Sequence, residues 1–224
     1  MRMVGPRHFV DDGVSRWPDH WKWGDDYAGQ AVVIIGNGPS LAAFTPAQVA
    51  GQNLIAINSA CRWAAPIATD SDMLFFHDNS WNANHPALAD AWPGSIVTSN
   101  RYAALRLAPR ARRLDVTALT EAVRVHPDAT HASSGHTAAA LAAAMGARRV
   151  VLLGFDGGIR AGRSQWHDDY REQDGTVYAE RMLPGWRDLV PGLARFGCQV
   201  VNATPGSSIA EAPFLDLAAA LAAP

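Results

Sequence analysis

The side chains that could do chemistry in this chain stand directly after short apolar runs. Six such runs end in turns that carry Asn, Asp, Ser, Thr or His. These turns are Gly36-Asn37-Gly38-Pro39-Ser40, Asn58-Ser59, His77-Asp78-Asn79, Ser99-Asn100, Gly154-Phe155-Asp156-Gly157 and Asn202-Ala203-Thr204. A rim of amides and hydroxyls suits multi-point hydrogen bonding of a base or a sugar, and suits a bare metal cluster less well. Asn and Asp also favour turns on conformational grounds alone.

The first turn has the composition of a phosphate site. Gly36 and Gly38 allow close approach of a ligand to the backbone, and Pro39 is tolerated in the first turn of a helix. The N–H groups of such a turn, with the helix dipole, would attract a phosphate. Leu41 replaces the third glycine of the dinucleotide fingerprint, and the Gly-Lys-Ser/Thr of a P-loop is missing. We predict a nucleotide site here, with a plain strand-to-helix corner as the alternative.

A second candidate lies at the start of a predicted helix over residues 135–145. Ser133 and Ser134 can cap this helix, and Gly135 follows them. These three residues either serve only as a cap or bind a second polar group of the same ligand. Gly146 provides the left-handed residue that ends a helix.

The third candidate is His167, in a polar segment over residues 160–178 that is typical of a lid or an active-site loop. Histidine is the usual general base near neutral pH, and we take His167 and Asp156 as the candidate catalytic residues. Two alternatives stay open: a metal site built from the His-Asp-Asp sequence with Asp156, and a solvated surface histidine. Other histidines compete for the same role, namely His77, His85, His131 and His136.

The elements that must position these residues alternate between strands and helices. The apolar runs predict strands at 31–35, 53–57, 73–76, 95–98, 150–153 and 199–201, and helices are predicted at 39–50, 86–91, 117–124, 135–145, 179–196 and 213–222. This alternation predicts an α/β, Rossmann-like, mostly parallel sheet with helices on both faces, in a single domain over residues 30–224. Residues 1–29 are predicted to form an irregular Trp-rich arm that could be a subunit contact in a homo-oligomer.

The bulk composition narrows the class of protein. The chain has 224 residues, 48% of them hydrophobic and 18% charged, with a net charge of −2. These values indicate a globular protein and give no electrostatic case for nucleic-acid binding. We expect no membrane span, no signal peptide and no membrane partner, and hence a cytoplasmic protein with two buried thiols, Cys61 and Cys198. Five arginines between residues 101 and 113 are expected on a solvated surface.

Four motifs taken together resemble the bacterial sialyltransferases that use CMP-sialic acid. They are GNGPSL at 36–41, the Ile57-Asn58 strand exit, Ser133-Ser134-Gly135 and VVLLGFD at 150–156. The skeleton is also similar to that of the 6-hydroxymethylpterin diphosphokinase-like proteins, including small single-domain members in phage genomes. The resemblance runs from about residue 31 to about residue 210.

The resemblance implies roles for particular residues. It places the nucleotide at Gly38, Asn37 and Asn58, with Asn79 beside them, and again at Ser134 and Gly135. It makes His167 the general base on the acceptor hydroxyl. Two lid tyrosines assist the departing phosphate in those enzymes, and Tyr170 and Tyr178 are the tyrosines available here, at a different spacing. Gly157 stands where the sialyltransferases have a tyrosine.

The leading hypothesis is therefore a glycosyltransferase-like enzyme that moves a sugar from a CMP-sugar-like donor to a hydroxyl acceptor without an obligatory metal. The alternative is a Mg²⁺-dependent diphosphokinase acting on a hydroxymethylpterin-like substrate. That branch typically has an Asp-Leu-Asp strand end for magnesium, whereas this chain has Phe76-His77-Asp78. Asp78 and Asp156 could still hold one Mg²⁺ ion. A third hypothesis is a nucleotide-binding module without catalysis.

Overall fold

A computed structural model describes residues 22–169 and 174–222, except for the side chain of Asn79. Within them, one seven-stranded sheet is formed, with strand order β5-β4-β3-β2-β1-β6-β7 and every pairing parallel. The strands are β1 (Ala31–Ile35), β2 (Asn53–Ile57), β3 (Met73–Phe76), β4 (Ser95–Thr98), β5 (Ala111–Arg113), β6 (Arg149–Leu153) and β7 (Gln199–Asn202). The predicted α/β Rossmann-like fold is confirmed, and the sheet is parallel throughout.

Short helices connect the strands. They are α1 (Ala60–Ala64), α2 (Asn79–Asn84), α3 (Pro86–Ala91), α4 (Arg101–Arg106), α5 (Val116–Val123), α6 (Pro127–His131), α7 (Ser134–Ala144), α8 (Gly175–Val177), α9 (Leu183–Phe196) and α10 (Leu217–Leu221). A π-helical turn, Tyr178–Met182, joins α8 to α9, so the predicted helix over 179–196 begins at residue 175. Among the described residues, no helix has both the length and the apolar composition needed to cross a membrane.

The strands are apolar on both faces because helices cover both. In β1, Val32 and Ile34 pack into the core shared with α5, α7 and α9, while Val33 and Ile35 pack into the core on the opposite face. This alternation explains why the parallel strands read as continuous apolar runs in the sequence. Because every strand pairing is parallel, all seven carboxyl ends lie along one edge of the sheet.

Two elements differ from the sequence predictions. The predicted helix over 39–50 is wrong: two 3₁₀ turns, Pro39–Ala43 and Pro46–Val49, occupy this segment. The physical reason is Pro46, which disfavours helical backbone at Thr45, and Thr45 is extended with φ −112° and ψ 147°. Strand β5 was not predicted because two of its three residues are arginines, which suit a sheet edge.

The N-terminal arm falls mostly outside the described residues, which begin at residue 22. From there, Trp23 packs against the core and Tyr27 is buried. The N–H groups of Tyr27 and Gly29 donate to the carbonyls of Met145 and Gly146, both at 2.9 Å. This segment therefore docks on the end of α7. The predicted subunit contact through Trp17 and Trp21 lies outside the described residues.

Candidate functional site

The order of the strands reverses at β1. Strands β2 to β5 follow on one side of β1, and β6 and β7 lie on the other. Ligands of open α/β sheets bind in the crevice that such a reversal leaves beyond the carboxyl ends. Ile35 pairs with Leu153, so the turns that start at residues 36 and 154 leave the sheet side by side.

A cavity of about 380 Å³ opens at this point, and we call it the switch-point cavity. Its volume lies within the range of small-molecule sites, about 300–1,000 Å³. It brings together most of the residues predicted for the site, namely Gly36, Asn37, Gly38, Asn58, Asp78, Ser133, Ser134, Gly135, Asp156 and Tyr178. It adds wall residues for which the sequence predicted no role there, including Arg181, Met182 and Trp186.

Not every predicted residue lines this cavity. Among the described residues, Pro39, Ser40 and His167 lie outside its wall. Tyr170 lies outside the described residues altogether, and so does the side chain of Asn79 at the start of α2. Their predicted roles at a nucleotide or as part of a lid stay predictions.

The glycine turn is held by the neighbouring strand exit rather than left open for a phosphate. The N–H groups of Gly36 and Gly38 donate to the carbonyls of Leu153 and Gly154, both at 2.8 Å. Ser40 donates to Asp156 Oδ2 from its N–H at 3.3 Å and from its hydroxyl at 2.8 Å. Three N–H groups of the predicted phosphate turn are therefore already used within the protein. The 3₁₀ turn that follows has five residues, so it does not provide the predicted helix dipole.

Asp156 holds the glycine turn in place through contacts with Ser40 and Gly38. Its side chain is almost fully buried, and Arg160 Nε lies 2.6 Å from Oδ1. A Cβ built on Gly38 would lie 2.0 Å from Asp156 Oδ2, which explains the glycine without a ligand. The carboxylate is committed to Ser40 and Arg160, a structural function that the sequence did not indicate.

The alternative magnesium site has two carboxylates that already have partners. Asp78 caps α2, where Oδ1 accepts from the N–H and the hydroxyl of Ser80, both at 2.7 Å. Asp156 is held as just described. Among the residues that the structure describes, no group of three or more His, Cys, Asp or Glu side chains is placed to bind a metal ion together.

Helix α7 places its N-terminus in the cavity wall. Ser133 occupies the N-cap position, but its hydroxyl makes no capping hydrogen bond. It lies 2.8 Å from His136 Nδ1, and His136 Nε2 lies 3.0 Å from the carbonyl of Met182. A carbonyl only accepts, so Nε2 carries the proton and the Ser133 hydroxyl donates to Nδ1. The predicted capping by Ser133 is therefore wrong.

This Ser133–His136 pair orients a hydroxyl and does not activate it as a nucleophile. Burial lowers the pKa of His136 to about 3, and the ring stacks on Trp186 at 4.1 Å between centroids. An imidazole with so low a pKa is a poor acceptor for the serine proton near neutral pH. Because its proton is used on His136 Nδ1, Ser133 Oγ can take part in a further hydrogen bond only as an acceptor.

His77, in the cavity wall, is a second neutral histidine and is half-buried. Its Nε2 lies 2.6 Å from Thr137 Oγ1, and its Nδ1 is hydrogen-bonded to Ser99. Burial lowers its pKa to about 4. The N–H of His77 donates to Ser134 Oγ at 3.3 Å, so the proton of the Ser134 hydroxyl can be donated elsewhere.

Positive charge at the cavity comes from Arg181. This exposed side chain donates to the carbonyl of His131 at 3.1 Å and belongs to the π-helical turn Tyr178–Met182. Tyr178, on the same turn, donates to the carbonyl of Ser164 at 3.3 Å. The turn therefore contributes Tyr178, Arg181 and Met182 to the cavity wall.

His167 is bound to the residue that separates it from the cavity. Its Nε2 lies 3.1 Å from Asn37 Oδ1, and its Nδ1 accepts from the N–H of Asp169 at 3.1 Å. Asn37 Nδ2 donates to the carbonyl of Ile57 at 2.9 Å, which fixes Oδ1 toward His167. The carbonyl of Asn37 also accepts from the N–H of Trp166 at 2.9 Å. His167 is buried, so the alternative of a solvated surface histidine is wrong.

Three residues in or beside the cavity have contacts that sequence reasoning did not predict, and they differ in how they could have been found. His136 follows Ser133 at a helical spacing of three, which predicts that the two side chains share a helix face. Arg181 has no such signal, because nothing local relates it to the strand exits. Asp169 was noted only as part of a metal motif, and its partners come from distant segments.

Comparison with solved structures shows which proteins share this fold. The sialyltransferase CstII from Campylobacter jejuni, in complex with the substrate analogue cytidine-5'-monophosphate, is 16% identical, with a TM-score of 0.53 over 83% of this chain and 84% of that chain. CST-II in complex with a trisaccharide acceptor and CMP gives 16% identity and a TM-score of 0.56, covering 87% and 88% of the two chains.

A third similar structure is the monofunctional alpha-2,3-sialyltransferase Cst-I from Campylobacter jejuni, with 13% identity and a TM-score of 0.55 over 90% of this chain and 86% of that chain. No protein-family model matches the sequence, and no curated protein matches it. The chain is thus similar in fold, over most of its length, to these sialyltransferases.

Proposed function

We propose that this protein is a glycosyltransferase that moves a sugar from a CMP-sugar-like donor to a hydroxyl acceptor. The proposal is supported by the fold likeness to sialyltransferases, two of whose structures contain CMP and one of which also contains a trisaccharide acceptor. The same likeness supports a nucleotide-sugar and a hydroxyl compound as the two binding partners. The chemistry of the cavity supports this reaction.

The observation that carries the proposal is the set of donors at the start of α7. A helix leaves its first N–H groups without acceptors inside the helix, and their partial positive charge favours an anion. Ser133, Ser134 and Gly135 bring this end of α7 into the cavity wall, together with Arg181. The Ser134 hydroxyl adds a directed donor. These groups suit the phosphate and carboxylate charges of a CMP-sugar, and they replace the glycine turn as the anion site.

The other wall offers neutral hydrogen-bonding groups. Asn37 and Asn58 follow the two central strands β1 and β2 and line the same cavity. Amides donate and accept, as recognition of a base or a ribose requires. Asn37 Oδ1 becomes available to a nucleoside when its bond to His167 opens. We place the nucleoside on this side and the phosphate toward α7.

His167 is the proposed general base, and Tyr178 is the proposed partner of the departing phosphate. His167 is one hydrogen bond from the cavity wall, through Asn37. Tyr178 carries its hydroxyl in the wall itself. We propose that no metal is required, since Arg181 and the α7 N-terminus supply positive charge where the leaving phosphate would develop negative charge.

Thermal-shift measurements with CMP, CMP-sialic acid, UDP, and ATP with Mg²⁺ test this proposal. We expect CMP and its sugar conjugate to raise Tm more than UDP or ATP, because ligands that bind only the folded state stabilise it by mass action. Ser134→Ala should weaken the CMP effect, and Ser71→Ala, at an exposed turn, is the matched control.

The outcomes separate the three hypotheses. A shift with ATP and Mg²⁺ alone would favour the diphosphokinase. A CMP shift without any turnover of CMP-sugars would leave a nucleotide-binding module. Absence of a shift with every nucleotide would contradict the proposed function.

A further inference from the structure

We propose that Asp169 is the positioning residue of His167: its carboxylate orients the imidazole and stabilises the imidazolium that forms when His167 takes the acceptor's proton. The inference rests on the proposed function, because it assigns a partner to the proposed general base. It starts from the contacts around one carboxylate in the lid segment 164–169.

The Asp169 carboxylate is held from two sides by residues of the β2–α1 connection and of α1. Ser59 donates its hydroxyl to Oδ2 at 2.6 Å, and Arg62 Nη2 lies 3.2 Å from Oδ1 and 3.1 Å from Oδ2. Ser59 is fixed in turn by Trp81, whose Nε1 donates to its hydroxyl oxygen at 2.9 Å. A carboxylate with these partners has one position and cannot rotate away without breaking them.

Asp169 also keeps its negative charge at neutral pH. Burial alone raises the pKa of this carboxyl, but the Ser59 hydrogen bond and the nearby His167 and Arg62 outweigh it, and the net pKa lies below the ordinary value. Asp169 is therefore an anion at neutral pH.

Asp169 and the cavity lie on opposite sides of the imidazole. Oδ2 of Asp169 is 3.6 Å from Nδ1 of His167, whereas Nε2 faces Asn37 in the cavity wall. Catalytic histidines are oriented by a carboxylate at the ring nitrogen opposite the reactive one. Asp169 Oδ2 is on that side of His167, and a short approach to a protonated Nδ1 would complete the arrangement.

In the observed state the histidine holds its proton on the wrong nitrogen for this reaction. Nδ1 accepts from the Asp169 N–H, so Nε2–H donates to Asn37. Catalysis requires the Asn37 bond to open and the Asp169 N–H to release Nδ1, so that the proton can sit on Nδ1 and face Asp169 Oδ2. The donor nucleotide is suited to open it, because Asn37 lines the cavity in which the donor is proposed to bind.

In the proposed sugar transfer, one bond forms at the anomeric carbon and one bond breaks there. The acceptor O–H gives its proton to Nε2 while its oxygen bonds to the anomeric carbon of the sugar. The bond from that carbon to the phosphate oxygen breaks, and its electron pair leaves with CMP. Asp169 stabilises the positive charge that His167 gains.

The groups around His167 shift its pKa in opposite directions. Burial lowers its pKa most, Asp169 raises it, Arg62 and His85 lower it, and Asp168 raises it. Asp169 is thus the largest counterweight to burial. Replacing its carboxylate by an amide would leave Arg62 and His85 unbalanced, and the pKa of His167 would fall further.

Asp169→Asn tests the proposal, with Asp168→Asn as its control, since the neighbouring Asp168 is 92% exposed and pairs with Arg163. The pKa of His167 is read from its imidazole NMR signal, assigned with His167→Gln, and kcat is followed against pH with a CMP-sugar. We expect Asp169→Asn to lower kcat by about 10- to 100-fold. We also expect it to move the His167 titration and the acid limb about one pH unit toward acid. Asp168→Asn should change both much less.

Two outcomes would overturn the proposal: an unchanged His167 titration in Asp169→Asn, or an equal change in Asp168→Asn. If Asp169→Asn does not fold, Ser59→Ala leaves the carboxylate but loosens it, and the titration should move in the same direction by less. The NMR titration needs no turnover. Absence of CMP-sugar turnover in the wild-type protein therefore counts against the proposed function, and an unmoved titration counts against Asp169.

Discussion

His167 and Asn37 are hydrogen-bonded across 130 residues of chain, from Nε2 of the imidazole to Oδ1 of the amide at 3.1 Å. The bond joins residues 164–169, part of the lid predicted over 160–178, to the glycine turn at the end of β1. Asn37 belongs to the cavity wall and His167 lies behind it. We therefore expect occupation of the cavity to change the hydrogen bonding of the proposed base through this amide.

Asn37→Ala should release the lid. The substitution removes the bonds to His167 and to the Ile57 carbonyl, a loss of about 1 kcal/mol each in free energy of unfolding. Hydrogen–deuterium exchange should increase over residues 164–169 and stay unchanged in the buried strand β6. Protection of the lid equal to that of the wild-type protein would show that Asn37 does not hold it.

Gly38→Ala should destabilise the protein without any ligand present. The new Cβ would lie 2.0 Å from Asp156 Oδ2 and 2.7 Å from the Gly154 carbonyl, so the packed turns must separate. We expect a loss of about 1–3 kcal/mol in urea unfolding. Gly24→Ala is the control, since its Cβ would meet only the Asp26 carboxylate, at 3.8 Å. Equal stability of the two variants would argue that the glycine serves a ligand instead.

Acid should destabilise the fold through two neutral histidines, the buried His136 and the half-buried His77. Burial lowers the pKa of His77 to about 4 and that of His136 to about 3, below the ordinary value of 6.5. Between the folded and unfolded pKa values, the unfolded chain binds more protons than the folded protein. The contribution of these histidines to the free energy of unfolding is therefore full above pH 6.5, and it falls as the pH drops toward 4 and then 3. Each histidine contributes a slope of about 1.4 kcal/mol per pH unit.

Urea unfolding at several pH values measures this slope. His77→Gln should reduce it, whereas His126→Gln, at a side chain that is 64% exposed, should not. The same slope in the wild-type protein, His77→Gln and His126→Gln would show that His77 does not cause the acid sensitivity.

Chelation should leave transfer intact. Two carboxylates were considered for Mg²⁺. Asp78 accepts hydrogen bonds from Ser80, and Asp156 is bound by Ser40 and Arg160. Initial rates with a CMP-sugar in EDTA and in added Mg²⁺ should therefore agree. Loss of activity in EDTA that is restored by Mg²⁺ would show that the metal-free proposal is wrong.

The sequence predicted the sheet well because its strands are covered on both faces and read as apolar runs. The same rule placed Gly36, Asn58 and Asp156 at one edge, which the parallel sheet confirms. The prediction failed where one residue changed the backbone, as Pro46 does, and where a strand is short and charged, as β5 is.

The interior of the site was less predictable because its contacts span long stretches of chain. His136 meets the Met182 carbonyl 46 residues away, and Asp169 meets Ser59 across 110 residues. No local pattern records such pairs. The sequence also could not show that the glycine turn packs on Asp156, since a turn that binds phosphate and a turn that packs on its neighbour use the same glycines.

The most direct test of the account is CMP release from CMP-sialic acid in the presence of a panel of polyhydroxylated acceptors. Product is followed by mass spectrometry in the wild-type protein and in His167→Gln. The account predicts acceptor-dependent formation of CMP and a glycosylated product in EDTA. His167→Gln should lose at least about 100-fold in rate and still bind CMP. Failure of the wild-type protein to bind CMP, or equal turnover in His167→Gln, would contradict it.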